Sequence, residues 1–162
     1  LVGSEMCIRD SEIICRCGKK GCLETEVSGS ALHRILCEKV KNGQSSILSK
    51  RILTGETSLT LEEIVDATNK EDILCIELVE EIGRKLGRYL AGLINLFNPE
   101  LVVIGGTLAL TEDYILQPIK TAIRKYSLNL VSKDSAVVLS KLQAKAGVIG
   151  ACLLSRSKLF EW

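Results

Sequence analysis

The sequence has few aromatic residues, almost no net charge and no long apolar run. Phe, Trp and Tyr make up 4% of the 162 residues and hydrophobic residues 46%, so an aliphatic core is expected. Lys and Arg total 21 against 20 Asp and Glu, which gives no positive field to attract nucleic acid. The longest apolar stretches, 89–94 and 101–110, are far shorter than the roughly 18 to 20 residues that cross a bilayer. No membrane span is expected.

A disulfide framework is also missing. The seven cysteines are odd in number, and Cys7, Cys37, Cys75 and Cys152 are scattered along the chain. The last three fall on apolar stripes of predicted helices, where a free thiol packs as a small hydrophobe. Such usage is typical of the reducing cytoplasm, where we expect this protein to be located.

The first eleven residues, LVGSEMCIRDS, do not form a signal peptide, because they lack a basic start and a continuous apolar centre. The string resembles the translation of a common transposon sequencing adaptor. We therefore expect residues 1–11 to be a non-native segment without a role in the fold, and the natural sequence to begin near Glu12.

The spacing of apolar residues predicts an α/β chain. It indicates strands at 101–104 and 136–139, and the first of these is expected to be buried on both faces because it is wholly apolar. Helices are predicted over 25–41, over 47–53, from Thr60 through Ala67, over 71–97, after a capping Thr111, and from 146 toward 159. The second and third of these helices are interpreted as a helical insertion. Gly83, Gly87 and Ala91 recur four apart on the long helix, which predicts close packing of its backbone on a neighbour.

Three further cysteines lie within eight positions. Cys15, Cys17 and Cys22 share a loop with two glycines, a spacing that lets thiolates converge on tetrahedral zinc. A fourth ligand must come from elsewhere, and His33 on the next helix is a poor candidate because a lone helical histidine is more often an exposed or capped side chain. Redox activity is the alternative, although the spacing is not that of a thioredoxin motif.

These cysteines and two later motifs together resemble the ROK family of sugar kinases and sugar-responsive repressors. The resemblance runs from about Cys15 to the C-terminus. It rests on the motifs Cys15-x-Cys17-Gly18-x-x-Gly21-Cys22-x-Glu24-x-x-x-Ser28, Asn98-Pro99-Glu100-x-Val102-Val103-Ile104-Gly105-Gly106 and Ala146-Gly147-Val148-Ile149-Gly150-Ala151.

The resemblance implies an actin-like, ribonuclease H-like ATPase fold, with residues 12–162 as the C-terminal portion of a ROK domain. It implies that Cys15, Cys17 and Cys22 bind a structural zinc ion. The family's fourth ligand is a histidine about ten residues upstream, where this sequence has Glu5. The resemblance also implies that Glu24 accepts hydrogen bonds from sugar hydroxyls. Without the resemblance, Glu24 would be interpreted as a residue of the first helical turn, where the helix dipole favours a negative charge.

Gly105 and Gly106 follow a predicted strand, the position at which open α/β sheets bind ligands, and they are the candidate cofactor-binding residues. An ordinary strand-to-helix turn would give the same pattern. Kinases of the family carry a third glycine where this chain has Thr107, and the sequence contains neither a P-loop nor a complete dinucleotide motif. ATP is therefore expected as a cofactor only if the parent protein is a kinase.

Two functions are compatible with the resemblance, namely a sugar-responsive transcriptional regulator and an ATP-dependent hexose kinase. Thr107 and the run 126–134 favour the regulator. Kinases of the family carry a phosphate-binding hairpin and an Asn-Asp pair whose Asp is the general base for the sugar hydroxyl. The 162 residues contain neither, so no catalytic residue is assigned and this chain alone is expected to lack kinase activity.

The expected ligand is a sugar. DNA would be bound only through a helix-turn-helix elsewhere in the parent, and a homo-oligomer is expected. A free zinc-ribbon module that binds nucleic acid is poorly supported, because no basic or aromatic surface accompanies the cysteines.

Overall fold

The computed structural model describes residues 13–55, 59–128, 135–142 and 145–159. The described chain is mostly helical and contains one small sheet. Its elements, in chain order, are α1 Glu24–Val27, α2 Gly29–Lys41, α3 Ser49–Thr54, α4 Leu61–Asn69, α5 Ile73–Phe97, β1 Leu101–Ile104, the 3₁₀ helix Thr107–Thr111, α6 Asp113–Tyr126, β2 Ala136–Leu139 and α7 Ala146–Leu159.

The described sheet consists of β1 and β2, which pair in parallel. The register places Leu101 opposite Ala136 and Ile104 opposite Leu139. Parallel neighbours need a crossover connection, which α6 supplies. The predicted α/β order is thereby confirmed over this part of the chain.

The core lies among the helices. Helix α5 is central because it packs along α6 on one side and contacts α2 and α4 on others. The fully buried side chains are mostly aliphatic, as the low aromatic content predicts: they include Leu32, Leu36, Ile64, Leu78, Ile82, Ile94, Ile115 and Ile119.

The glycines of α5 allow this helix to approach α6 closely. A Cβ atom at Gly83 would lie 2.9 Å from the Ile115 carbonyl oxygen, and one at Gly87 would lie 2.5 Å from that of Ile119. Real Cβ atoms do not come so near to a backbone oxygen, so only glycine fits at this contact. The prediction of close backbone packing is confirmed.

Helix termini follow local sequence signals. The Thr60 hydroxyl accepts a hydrogen bond from the Glu63 amide, and the Glu63 carboxylate accepts one from the Thr60 amide, which forms the predicted capping box. Asp72 caps α5 by accepting from the Cys75 amide at 2.9 Å. At the other end, Asn98 takes a left-handed conformation with φ of 43°, which ends α5 just before Pro99.

Two predicted boundaries are wrong. The helix expected over 25–41 is interrupted at Ser28, whose extended backbone and hydroxyl cap α2 by accepting from the Ala31 amide. Thr111 does not cap α6; it ends the 3₁₀ helix, and its buried hydroxyl donates to the Leu108 carbonyl oxygen at 2.8 Å. Serine and threonine can satisfy local backbone groups in several ways, which is why spacing alone misassigns them.

Two predictions of burial are also wrong. Strand β1 is not covered on both faces, since Leu101 is 53% and Val103 54% exposed, and the described residues place no layer over that face. Helix α7 has no buried residue, so Cys152 is exposed instead of packing as a small hydrophobe. Cys75 is fully buried as predicted, and Cys37 is half-buried.

In the described part of the chain, no helix combines the length and the apolar character needed to cross a bilayer.

Candidate metal centre and adjoining cleft

The cysteine loop is a tight turn that is closed by backbone hydrogen bonds. The Cys15 amide donates to the Lys19 carbonyl oxygen at 2.8 Å, and the Gly18 amide donates to that of Cys15 at 2.9 Å. An isolated antiparallel bridge between Ile14 and Lys20 closes the base. Gly18 has φ of 83° and Gly21 has φ of 72°, a region that favours glycine, so the two glycines permit the fold of the loop.

The turn brings three sulfur atoms together. The Sγ atoms of Cys15, Cys17 and Cys22 all lie within 4.8 Å of one another, and those of Cys17 and Cys22 are 3.4 Å apart. Tetrahedral zinc with Zn–S bonds of about 2.3 Å separates its sulfur ligands by about 3.8 Å. The 3.4 Å separation and the 4.8 Å upper limit are both compatible with this distance, and thiolates are ligands that zinc prefers, so the residues present fit a zinc ion.

The pKa values of the Cys17 and Cys22 thiols are shifted in opposite directions. Hydrogen bonds from the Lys19 backbone and then from the Cys22 side chain lower the pKa of Cys17. The hydrogen bond to Cys17, followed by burial, raises the pKa of Cys22 to about 12. Cys17 is therefore more ready than Cys22 to act as a thiolate, and a bound metal would have to displace the proton of Cys22.

No fourth ligand joins the three cysteines among the described residues. The Nε2 atom of His33 lies 3.9 Å from Cys37 Sγ on the same helix, and the cluster does not include it. This placement agrees with the low expectation for His33. Glu5, which occupies the place of the family's histidine ligand, lies outside the described residues.

Glu24 and the cysteine loop line one cleft of about 220 Å³. Glu24 is the first residue of α1, and its neighbour Thr25 ties the helix to the loop by donating from its hydroxyl to the Cys22 carbonyl oxygen at 2.7 Å. The other cleft residues that matter chemically are Arg16, Ser30 and Arg34. A carboxylate, a hydroxyl and two guanidinium groups can together accept and donate hydrogen bonds to a polyhydroxylated ligand.

Sequence reasoning missed Ser30, Arg16 and Arg34. The Arg34 guanidinium donates to the Thr25 carbonyl oxygen at 3.0 Å, which holds it against α1. Arg34 lies nine residues along the chain from Thr25, and on the polar side of α2 nothing distinguishes it from other exposed cations. Arg34 comes near Glu24 because the helix is interrupted at Ser28. Since the spacing of apolar residues predicts one unbroken helix over 25–41, it could not reveal this proximity.

Gly105 and Gly106 lie at the carboxyl end of β1, as predicted. The Ser140 amide donates to the Ile104 carbonyl oxygen at 2.8 Å, so the ends of both strands meet there. Gly106 has φ of 91°, and no described atom lies within 4 Å of where its Cβ would be. The backbone is thus open at Gly106, whereas a Cβ at Gly105 would lie 3.7 Å from that of Ser140. Neither glycine lines the cleft that contains Glu24 and Cys15, so the structure gives two separate places to these predicted sites.

Comparison with known proteins gives a consistent family assignment. Residues 5–158 match the model of the ROK family. A glucokinase of Halalkalibacterium halodurans is 35% identical over 136 residues, covering 84% of this chain and 41% of the relative. The DNA-binding transcriptional dual regulator NagC of Escherichia coli strain K12 is 32% identical over 145 residues, covering 90% of this chain and 34% of the relative.

Solved structures give the same picture. A ROK family transcriptional regulator, described as a homologue of the Escherichia coli MLC protein, superposes with a TM-score of 0.79 at 30% identity, over 93% of this chain and 37% of that one. A ROK family glucokinase from Streptomyces griseus, solved with glucose and AMPPNP, has a TM-score of 0.74 at 27% identity, over 91% of this chain and 48% of that one. The fold is that of these proteins, the actin-like ATPase fold.

The chain thus spans between about a third and about a half of the length of these relatives, 34% to 48%. Both functional types within the family, regulators and sugar kinases, are represented among them. Since the family match covers nearly the whole sequence and the structure superposes on solved members, this chain belongs to the ROK family.

Proposed function

We propose that this chain is the sugar-sensing portion of a cytoplasmic ROK-family transcriptional regulator, and that it binds a sugar through Glu24 beside a structural zinc loop. The observation that carries the proposal is that Glu24 and Cys15 line the same cleft. An ionised carboxylate accepts several hydrogen bonds, which suits the neighbouring hydroxyls of a sugar ring.

Zinc has a supporting role in this proposal. Cys15, Cys17 and Cys22 would hold the ion, which supplies a cross-link between the two sides of the turn. The hydrogen bond from Thr25 to the Cys22 carbonyl oxygen couples this turn to the helix that carries Glu24. A rigid turn therefore fixes the position of the Glu24 carboxylate, and loss of the cross-link is expected to weaken sugar binding indirectly.

Thr107 supports the choice of regulator over kinase. It begins the 3₁₀ helix directly after Gly106, where kinases of the family carry a third glycine. DNA binding by the parent protein would be the task of a helix-turn-helix that these 162 residues do not contain. The parent is proposed to be a homo-oligomer.

The test is sugar titration by calorimetry with glucose, N-acetylglucosamine and xylose, sugars that occur in the names of relatives. We expect one of them to bind, and Glu24→Gln to weaken it about tenfold or more because a charged acceptor is lost. Glu38→Gln is the matched control, since Glu38 is an exposed carboxylate of α2 outside the cleft. Equal affinity in wild type and Glu24→Gln would contradict the proposal.

The second candidate is a hexose kinase, which the open backbone at Gly106 favours. AMPPNP titration separates the two. A kinase portion should bind AMPPNP in a saturable manner and lose this binding in Gly106→Val, because valine is strained at φ of 91°. The regulator proposal predicts that Gly106→Val leaves AMPPNP binding unchanged, because any binding of the anion would then lie away from the sheet edge.

A further inference from the structure

The helical side of the molecule carries a second cleft, which shares no residue with the one beside the cysteine loop. It lies between α5 and α6 and has a volume of about 460 Å³. Four cations line it, Arg84, Lys85, Arg88 and Lys125, against one carboxylate, that of Glu81. Ligand clefts are commonly about 300 to 1,000 Å³, so this volume can hold a small molecule.

The cations fall into two classes. Arg84 forms an ion pair with Glu80 at 3.2 Å, and Lys85 forms one with Glu81 at 3.0 Å, each within a helical turn of α5. Arg88 and Lys125 form no ion pair with a carboxylate in the part of the chain that the structure describes. Two positive charges are therefore left without an acidic partner in the cleft.

Both of these cations are directed at one aromatic ring. The Arg88 guanidinium carbon lies 5.4 Å from the centroid of the Tyr126 ring, and Lys125 Nζ lies 5.3 Å from it. The attraction of a cation to an exposed ring is weak compared with full neutralisation by an anion. The ring orients the two side chains while leaving their charge available.

The close helix contact fixes this arrangement. A Cβ at Gly87, next to Arg88, would lie 2.7 Å from the Cβ of Ala122, so small residues bring the two backbones together here. Cations from different helices consequently reach one cleft, which Thr121 also lines. The site is built by rigid elements.

We propose that the cleft between α5 and α6 binds the dianion of a phosphate monoester through Arg88 and Lys125. A phosphate monoester carries about −1.5 to −2 charges at pH 7, which matches two unpaired cations. Guanidinium binds phosphate oxygens in a bidentate manner, and ammonium binds them as a point charge. The site does not depend on the proposed sugar site or on zinc.

The test is titration of the full 162-residue chain with inorganic phosphate and with AMP at constant ionic strength. Binding is monitored through the amide chemical shifts in NMR spectra. We expect saturable shifts confined to α5 around Arg88 and to the last turn of α6. Dimethyl phosphate, which carries a single charge, should bind more weakly than either probe.

Variants then assign the binding. Arg88→Gln and Lys125→Gln should each weaken AMP about fivefold, since each removes one exposed charge contact. Arg124→Gln is the matched control, because Arg124 is the exposed neighbour of Lys125 on α6 and lies outside the cleft. Circular dichroism establishes that each variant is folded, and the substituted side chains are exposed.

The proposal is overturned if Arg124→Gln weakens AMP as much as Lys125→Gln does, because binding would then follow overall charge. It is also overturned if the double variant Arg88→Gln/Lys125→Gln retains the wild-type affinity for AMP. The same conclusion follows if dimethyl phosphate binds as tightly as AMP. Binding of AMP but not of inorganic phosphate would place recognition on the nucleoside and would also overturn it.

Discussion

The four-helix core and the outer face of the sheet together with helix α7 use similar apolar residues in opposite ways. Side chains of α2, α4, α5 and α6 face one another, and residues such as Leu78 and Ile119 are 1% and 0% exposed. In the second region, Val103 of β1 and Leu154 of α7 are 54% and 60% exposed. The difference shows that an apolar sequence predicts burial only where the fold supplies an opposing layer.

The largest expected contrast is between leucines of the two regions. Leu78→Ala should lower the free energy of unfolding by about 3 kcal/mol, since it removes a buried side chain and leaves a cavity. Leu154→Ala should change it by less than about 0.5 kcal/mol, as exposed substitutions do. Urea unfolding followed by circular dichroism measures both. A cost for Leu154→Ala that approaches the cost for Leu78→Ala would show that α7 is packed in solution, and the comparison would then be wrong.

Elements that depend on local signals could be predicted from the sequence. The capping box of Thr60 and Glu63, the length of α5 and the glycines at its contact with α6 all follow from spacing and residue type. The cysteine loop is also local, so the convergence of its three sulfur atoms was predictable.

What depends on distant parts of the chain was not predictable. Burial of β1 and Cys152 requires a facing layer, and the sequence of a strand or helix does not state whether one is present. Arg34 joins the cleft of Glu24 because α2, after the break at Ser28, contacts α1 through the Thr25 carbonyl oxygen. Arg88 meets Lys125 only because α5 and α6 pack together. Such long-range juxtapositions leave no periodic signal in the sequence.

A smaller effect is expected at the N-terminus of α5, where the core helix is joined to the loop before α3. Asp72 is buried, and its carboxylate accepts from the Ile47 amide at 2.6 Å and from the Cys75 amide at 2.9 Å. Asp72→Asn replaces one acceptor with a donor and should cost about 1 to 2 kcal/mol. Asp66→Asn on α4, which is exposed, serves as the control and should be near neutral.

The Asp72 effect should depend on pH. Burial raises the pKa of Asp72, but the hydrogen bonds from the Cys75 and Ile47 amides outweigh burial and hold the pKa below its ordinary value of 3.8. The unfolded chain therefore takes up the proton first as the pH falls. The stabilisation is complete above the ordinary pKa and is lost as the pH falls through it toward the folded-state pKa. A difference between wild type and Asp72→Asn that stays constant from pH 6 to pH 2 would contradict this account.

The smallest effect on unfolding is expected in the cysteine loop, which lies outside the helical core. Cys17→Ser should change the free energy of unfolding of the metal-free chain by less than about 0.5 kcal/mol, because Cys17 is exposed. The same substitution should sharply reduce zinc affinity in a competitive titration, since one of three clustered thiolates is removed.

His33→Ala is the control that tests whether His33 supplies a fourth zinc ligand. It should leave zinc affinity unchanged, because the described position of His33 is beside Cys37 and not in the cluster. If His33→Ala abolished tight zinc binding, helix α2 would have to supply a ligand, and the loop and the helical core would be one metal-linked unit instead of two separable regions.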